Sequence, residues 1–381
     1  MTPAHPALGA EHETFRSQIR RFVREEIEPH LDDWEAAGEI PRAMYPRAAE
    51  VGLLGLGFPE QYDGVEAPDT FYRMIAVEEL ARSGSGGIVA AFGSLGIALP
   101  PIVALGSEAL KAEVLPPVLR GERIAALAIT EPGGGSDVAN LRTVAERDGE
   151  DFLVSGQKTF ITSGLRADLL TVAVRTGGPG MGGISLLAVD ADTPGLARTG
   201  LDKMGWLCSD TATLYFDRCR VPASRLIGAE NQGFLGIMRN FNMERLALAT
   251  QAYGHALRCY EDSLAYARER QTFGKPLVRH QVIRHKLVEM ASRIQALGAT
   301  LYGLIWQVDQ GGVPVAQLCM LKTLATDTLE WVAGEAVQIH GGAGYMRGCA
   351  VERIFRETKV LSIGGGASEV MRELAAKQLG Y

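Results

Sequence analysis

Residues 128–143, AITEPGGGSDVANLRT, lie where the pattern of the sequence changes from helical to strand-like. Three successive glycines allow backbone N–H groups to approach a ligand closely, and Thr130 and Ser136 offer hydroxyl groups for hydrogen bonds. A glycine-rich turn capped by Asp137 explains the same residues without any ligand. The segment therefore marks a boundary, and further segments must decide whether it also binds a ligand.

The sequence on the two sides of this segment differs in hydrophobic period. Before it, apolar residues recur at helical spacing, for example at Phe15, Ile19, Phe22, Val23 and Ile27. After it, short β-type runs alternate with Gly, Asp and Pro, and from residue 231 the helical period returns. We therefore predict an α+β protein with an N-terminal helical domain (1–122), a middle antiparallel β-barrel or sandwich domain (123–230) and a C-terminal helical bundle (231–381).

The composition is that of an ordinary globular protein. The chain has 381 residues, 46% of them hydrophobic, and a net charge of −7 with acidic and basic residues interspersed. No basic stripe favours nucleic acid, and no apolar run approaches the length of a membrane span. Five scattered cysteines and the lack of a signal-type start predict a cytoplasmic protein without a metal site.

Three more segments combine glycines, aromatic residues and polar side chains. SGQKTFITSG (155–164) places Phe160 and Thr162 on a β-type run that can cover a flat ring, although an ordinary half-buried strand explains it as well. RERQTFGKPLVRHQ (268–281) places Arg270 before Phe273 at a break between helices, where an arginine can pair with a phosphate. AVQIHGGAGYMRG (336–348) places Gln338 before Gly341 and Gly342, which simple helix capping also explains.

These four segments, in this order and across this α, β, α layout, resemble the acyl-CoA dehydrogenase family of flavoenzymes over almost the whole chain. The resemblance implies a C-terminal four-helix bundle, FAD as cofactor and an acyl-CoA thioester as substrate. It also implies a homo-oligomer, usually a dimer of dimers, and an electron-transfer flavoprotein as the partner that takes the electrons.

The resemblance further assigns the residues that contact the cofactor. Its implied FAD contacts in the middle domain are Leu127, Ile129, Thr130, Gly135, Ser136, Phe160 and Thr162. Arg270 and Phe273 would reach the FAD of a neighbouring subunit, together with Gln338, Gly341 and Gly342. Ser136, Asn242 and Arg245 are implied as substrate contacts.

The catalytic base is not at the position where many relatives carry it. Removal of an α proton requires a carboxylate near the α carbon, and in many relatives this glutamate lies in the loop that aligns with SIGGGASEV (362–370). Here the aligned residue is Gly365. Ala367 and Glu369 replace the threonine and glutamine with which relatives hold FAD, and Ser368 is expected to be the N-cap of the last helix.

Glu244 is the candidate for the missing base. In FLGIMRNFNMERLALA (234–249) its spacing of three and seven residues from Phe241 and Ile237 places it on an apolar helical face. Burial raises the pKa of a carboxyl group towards the basicity that is useful near neutral pH. The period alone favours a buried or interfacial ion pair, but long-chain and isovaleryl-type members of the family carry their catalytic glutamate in a similar Glu-Arg pair.

The sequence therefore predicts an FAD-dependent acyl-CoA dehydrogenase in which Glu244 takes the α proton and the flavin accepts the β hydride. Two alternatives remain open at this point. One is a flavin oxygenase or oxidase of the same fold acting on a substrate without CoA, and the other is a non-catalytic acyl-CoA-binding subunit in which Glu244 is structural.

Overall fold

The computed structural model describes residues 5–381, with the side chains at positions 239 and 240 left aside. Up to residue 122 the chain is helical, and the apolar stripes of these helices form a common core with the sheet that follows. Their bounds are α1 Ala10–Phe22, α2 Leu31–Ala37, α3 Met44–Glu50, α4 Thr70–Ala81, α5 Gly86–Gly93, α6 Leu95–Ala98, α7 Pro100–Leu105 and α8 Glu108–Leu119. A π-helical turn, Val23–Ile27, continues α1 before Pro29.

The middle part forms one eight-stranded sheet. Its strands are β1 Ala125–Ala128, β2 Val144–Asp148, β3 Asp151–Thr162, β4 Leu169–Arg175, β5 Ile184–Asp190, β6 Leu196–Gly200, β7 Thr211–Pro222 and β8 Leu226–Ile227. Seven strands follow the order β6-β7-β3-β2-β4-β5-β8, mostly antiparallel, and β1 pairs with β4 in parallel, with Leu127 opposite Thr171. The sheet is therefore mixed where the sequence suggested an antiparallel one.

The C-terminal part is built from three long helices, of 37, 29 and 26 residues, and two shorter ones of 14 and 12 residues, with short connections. The elements are α9 Gly233–Glu269, β9 Gln271–Thr272, β10 Lys275–Pro276, α10 Gln281–Asp309, α11 Val315–His340, α12 Gly342–Tyr345, α13 Ala350–Ile363 and α14 Ser368–Leu379. Helix α9 packs against α4 of the N-terminal part as well as against α10, α11 and α13. It therefore connects the bundle to the rest of the protein.

No single helix among residues 5–381 is long and apolar enough to cross a membrane. The bent pair Gly86–Gly93 and Leu95–Leu105, taken together, has the length and apolar composition of a membrane span. Ile88, Phe92 and Leu99 of this pair lie in the protein core.

Candidate active site

The segments 128–143 and 155–164 meet at the end of β1. The N–H of Thr159 donates to the carbonyl of Thr130 at 2.9 Å, which places Phe160 beside Thr130. Phe160 has a φ of +59° and a side chain that is 69% exposed, whereas Ile129 is buried and Leu127 and Thr162 are half-buried. An aromatic ring held out of the core near the end of β3 is available to contact a flat ligand.

The glycine-rich segment forms an exposed turn just after Thr130. Glu131 and Gly134 form an isolated antiparallel bridge, and a Cβ atom added to Gly133 or Gly134 would meet nothing within 4 Å. Gly135 and Ser136 are exposed, and within the described chain their N–H groups donate no hydrogen bond. Free N–H groups, an exposed aromatic ring and the Thr130 hydroxyl fit the phosphate and ring of FAD.

A buried ion pair, absent from the sequence-based prediction, supports this turn from below. The ammonium of Lys158 donates to Glu131 Oε1 at 2.8 Å and to the carbonyl of Ile129 at 3.0 Å. Glu131 also accepts the N–H groups of Arg142 at 2.6 Å and Thr143 at 2.8 Å. Burial lowers the pKa of Lys158 to about 8 against the attraction of Glu131. The only sequence signal was a lysine inside an apolar strand, which does not identify its partner.

Glu244 projects from α9 with its carboxylate shielded from solvent. Ile237 is buried and Phe241 packs against the same core, so the predicted apolar face is present. Glu244 Oε2 is fully buried and has no hydrogen-bond partner among the described residues. Burial raises the pKa of Glu244 to about 7, and the nearby charges of Arg245 and Lys322 oppose that rise. A carboxylate in this state is a competent base near neutral pH.

The glycine loop lies directly against this carboxylate. A Cβ atom on Gly365 would lie 3.4 Å from Glu244 Oε1 and 2.3 Å from Leu248 Cδ1, and Gly365 has a φ of +62°. Glycine at this position leaves room for the carboxylate that α9 brings to the loop. Ser368 is the first residue of α14 and makes no capping hydrogen bond, so the expectation that it is the N-cap was wrong; the N-cap is Ala367.

Arg245 and Asn242 are joined beside the carboxylate. Arg245 Nη1 donates to Asn242 Oδ1 at 3.0 Å, and the guanidinium carbon lies 5.9 Å from the centre of the Phe241 ring. The side chain of Arg245 is buried, and its Nε has no partner among the described residues. An acceptor atom on a ligand could form a hydrogen bond with this unpaired N–H of Arg245.

The third and fourth segments lie together, but at the surface of the single chain. Tyr266, one turn before Arg270, stacks on His340 with ring centres 4.4 Å apart, which brings the end of α9 to the end of α11. Phe273 is 96% exposed, and Arg270 and Gln338 are also exposed. Gly341 ends α11 with a φ of +59° and, like Gly342, is exposed. The stacked rings bring the segment of Arg270 and Phe273 close to the segment of Gln338, Gly341 and Gly342.

No group of three His, Cys, Asp or Glu side chains that could hold a metal ion occurs in the described part of the chain.

Comparison with known sequences places the whole chain in one family. Family models described as the N-terminal, middle and C-terminal domains of acyl-CoA dehydrogenase match residues 9–122, 126–219 and 231–380. Cyclohexane-1-carbonyl-CoA dehydrogenase of Geobacter metallireducens is 37% identical, with 95% of each chain covered. The mitochondrial long-chain specific acyl-CoA dehydrogenase of Sus scrofa is 35% identical over 98% of this chain and 87% of its own.

Solved structures agree with this assignment. A probable acyl-CoA dehydrogenase from Mycobacterium abscessus has 49% identity and a TM-score of 0.96, covering 98% of this chain and 99% of its own. A glutaryl-CoA dehydrogenase from Mycobacterium smegmatis in complex with FADH2 has 26% identity and a TM-score of 0.92, covering 98% and 95%. A structure of the electron transferring flavoprotein of Acidaminococcus fermentans contains a chain with 29% identity and a TM-score of 0.94, covering 99% and 100%.

Proposed function

This chain belongs to the acyl-CoA dehydrogenase family of FAD-dependent oxidoreductases, and we propose that Glu244 is the base that removes the α proton of its acyl-CoA substrate. The observation that supports the proposal most is the contact between two distant segments. The Glu244 carboxylate lies close to Gly365, since a Cβ atom there would be 3.4 Å from Oε1. The family resemblance implies that many relatives carry their base at this loop position, and this supports Glu244 as its replacement.

The protonation properties of Glu244 suit this role. With a pKa of about 7, the group is ionised in a substantial fraction of molecules at neutral pH and can take a proton. Its Oε2 has no protein hydrogen bond to break before it accepts that proton. When bound, FAD supplies the acceptor for the hydride that leaves the β carbon.

We propose that the substrate has a bulky, branched or long acyl chain. At the Glu244 carboxylate the loop presents Gly365, which has no side chain, while Leu248 and Met371 fill the places that Cβ atoms of Gly365 and Gly366 would take. The similarity to a dehydrogenase named for cyclohexane-1-carbonyl-CoA, whose α carbon is in a ring, supports this choice.

We further propose a homo-oligomer, a dimer of dimers, and an electron-transfer flavoprotein as the electron acceptor. Arg270, Phe273 and Gln338 are exposed on the single chain, and we propose that they complete the FAD site of a neighbouring subunit. The similarity to a chain within an electron transferring flavoprotein structure supports the choice of partner.

Anaerobic mixing of the FAD-loaded protein with CoA thioesters tests this function. Short straight, long straight and cyclohexane-1-carbonyl thioesters should be compared, and loss of the visible flavin absorbance measured. Glu244→Gln should lower the rate of flavin reduction by about 10² to 10⁴ because a positioned base contributes that much. Glu373→Gln, on the exposed face of α14, is the matched control and should reduce its flavin at the wild-type rate.

Three results would overturn parts of this proposal. Flavin reduction in Glu244→Gln at the wild-type rate would remove Glu244 from the mechanism. Tight binding of the thioesters without any bleaching would indicate a non-catalytic binding protein. No response to thioesters, with rapid reoxidation of the reduced flavin by oxygen, would indicate an oxidase or oxygenase.

A further inference from the structure

Lys322, in the middle of α11, is a lysine without any exposed surface. Its relative exposure is 0%, and it lies in the helix between the buried residues Leu321 and Thr323. An ammonium group loses several kcal/mol of hydration when it is buried, so it is retained in a core only where other groups compensate for the loss. The groups around Lys322 indicate what it does.

The ammonium of Lys322 is bound to the glycine loop. Its Nζ donates to the carbonyl of Gly366 at 2.7 Å. Gly366 has a φ of +103°, and a Cβ atom there would lie 2.4 Å from Met371 Cε, so only glycine fits this backbone. The hydrogen bond therefore fixes the loop in the conformation that places Gly365 against the Glu244 carboxylate.

The same ammonium acts on Glu244 through space. Three further groups interact with the charge of Lys322: Arg245 on α9, Cys319 on α11 and Glu369 on α14. Burial lowers the pKa of Lys322 to about 8, and Glu244 is the largest of the charges that oppose this change. Lys322 is therefore mainly cationic at neutral pH, and a cation near a carboxylate favours the ionised form of that carboxylate.

We propose that Lys322 is a positioning residue for catalysis: it holds the glycine loop beside Glu244, and its positive charge favours the ionised form of the Glu244 carboxylate. This inference rests on the proposed role of Glu244. It assigns to α11, which carries none of the predicted catalytic residues, a direct influence on the proton-transfer step.

The dependence of flavin reduction on pH separates this role from a purely structural one. Glutamine at position 322 can still donate an N–H to the Gly366 carbonyl but has no charge, whereas arginine keeps the charge. In Lys322→Gln the midpoint of the acid limb should rise by about one pH unit, so that the rate at pH 7 falls about fivefold while the rate at high pH recovers. Lys322→Arg should keep the wild-type midpoint, as should the control Lys377→Gln at an exposed position on α14.

The anaerobic reduction of FAD-loaded protein by the fastest CoA thioester gives this profile directly. A uniform loss of rate in Lys322→Gln with an unchanged midpoint would show that Lys322 only supports the fold, and so would an equal shift in Lys322→Arg. If Lys322→Gln does not retain FAD, only Lys322→Arg is measured. A shifted midpoint in Lys322→Arg then contradicts the inference, and an unchanged midpoint supports it. Glu244→Gln is measured in the same series. If this variant reduces flavin at the wild-type rate, the proposed function itself has failed, whatever the result for Lys322.

Discussion

Glu244 and Gly365 are 121 positions apart in the sequence and lie close together in the fold. The carboxylate needs burial to raise its pKa, and it needs an open place beside the loop to reach a substrate. The glycine supplies that place because it has no side chain and because it tolerates a φ of +62°. A change at either position therefore affects the proton acceptor.

Gly365→Ala should impair flavin reduction while FAD stays bound. The new methyl group would lie 2.3 Å from Leu248 Cδ1, so Leu248 must move, and the neighbouring carboxylate moves with it. The positive φ adds a cost of about 1–2 kcal/mol for any residue with a Cβ atom. We expect a rate at least about tenfold lower and a lower thermal midpoint.

Gly364→Ala is the control for this variant. Gly364 has an ordinary φ of −69°, and its added Cβ atom would meet only the carbonyl of Val360, at 3.3 Å. It should therefore change the rate little. Wild-type flavin reduction in Gly365→Ala would show that the loop does not constrain Glu244.

At the scale of elements, the turn that follows β1 depends on β3. Lys158 of β3 is bound to Glu131 and to the carbonyl of Ile129, and Thr159 is bound to Thr130. The exposed residues 133–136 are thus fixed at their base by buried hydrogen bonds, although the turn itself is open. The rigidity of the proposed flavin contacts comes from the strand beneath them.

Lys158→Met should therefore weaken both the fold and the retention of FAD. It leaves the buried Glu131 without its cation and the carbonyl of Ile129 without a donor, which costs about 3–5 kcal/mol for a broken buried pair. We expect a lower thermal midpoint and less FAD per polypeptide after gel filtration. Lys377→Met, on the exposed face of α14, should change neither, and unchanged FAD retention in Lys158→Met would contradict this account.

The elements themselves were largely predictable from local pattern. The return of the helical period from residue 231 agrees with α9, α10 and α11, because their apolar period is long and glycine or proline interrupts it clearly. Short β-type runs in the middle part became β3, β4, β5 and β7. The parallel pairing of β1 with β4 was not predictable, because it joins segments 44 residues apart by backbone hydrogen bonds alone.

The site was predictable in part and for a similar reason. A single acidic residue on an apolar helical face pointed to Glu244, and the order of four segments pointed to the family. Lys158 and Lys322 were missed because a buried lysine is recognised by its partner, and neither Glu131 nor Gly366 is near its lysine in the sequence.

At the scale of the whole molecule, one buried carboxyl group joins the three parts of the chain. Glu357 of α13 accepts the N–H of Gly86 in the N-terminal part at 2.7 Å and that of Trp206 in the middle part at 2.8 Å. Burial and then the nearby Glu35 raise its pKa to about 8. Glu357 is therefore largely protonated at neutral pH in the folded protein.

This protonation predicts a stability that depends on pH. The folded pKa of Glu357 lies above the ordinary value of 4.5, so the stability gained from the bound proton is complete below the unfolded pKa and is lost as pH rises through about 8. Glu357→Gln has no proton to lose. The advantage of the wild type over Glu357→Gln in thermal midpoint should therefore shrink between about pH 5 and pH 9. A difference that stays constant over this range would contradict the protonated state.

The central claim is that Glu244 takes the α proton, and proton exchange tests it most directly. When FAD is already reduced, hydride transfer from the substrate is blocked, so deuterium entering the α carbon of a saturated CoA thioester in D₂O reports proton removal alone. The wild type and Glu373→Gln should exchange this proton, and Glu244→Gln should exchange it about 10² to 10⁴ times more slowly. Exchange by Glu244→Gln at the wild-type rate would contradict the claim.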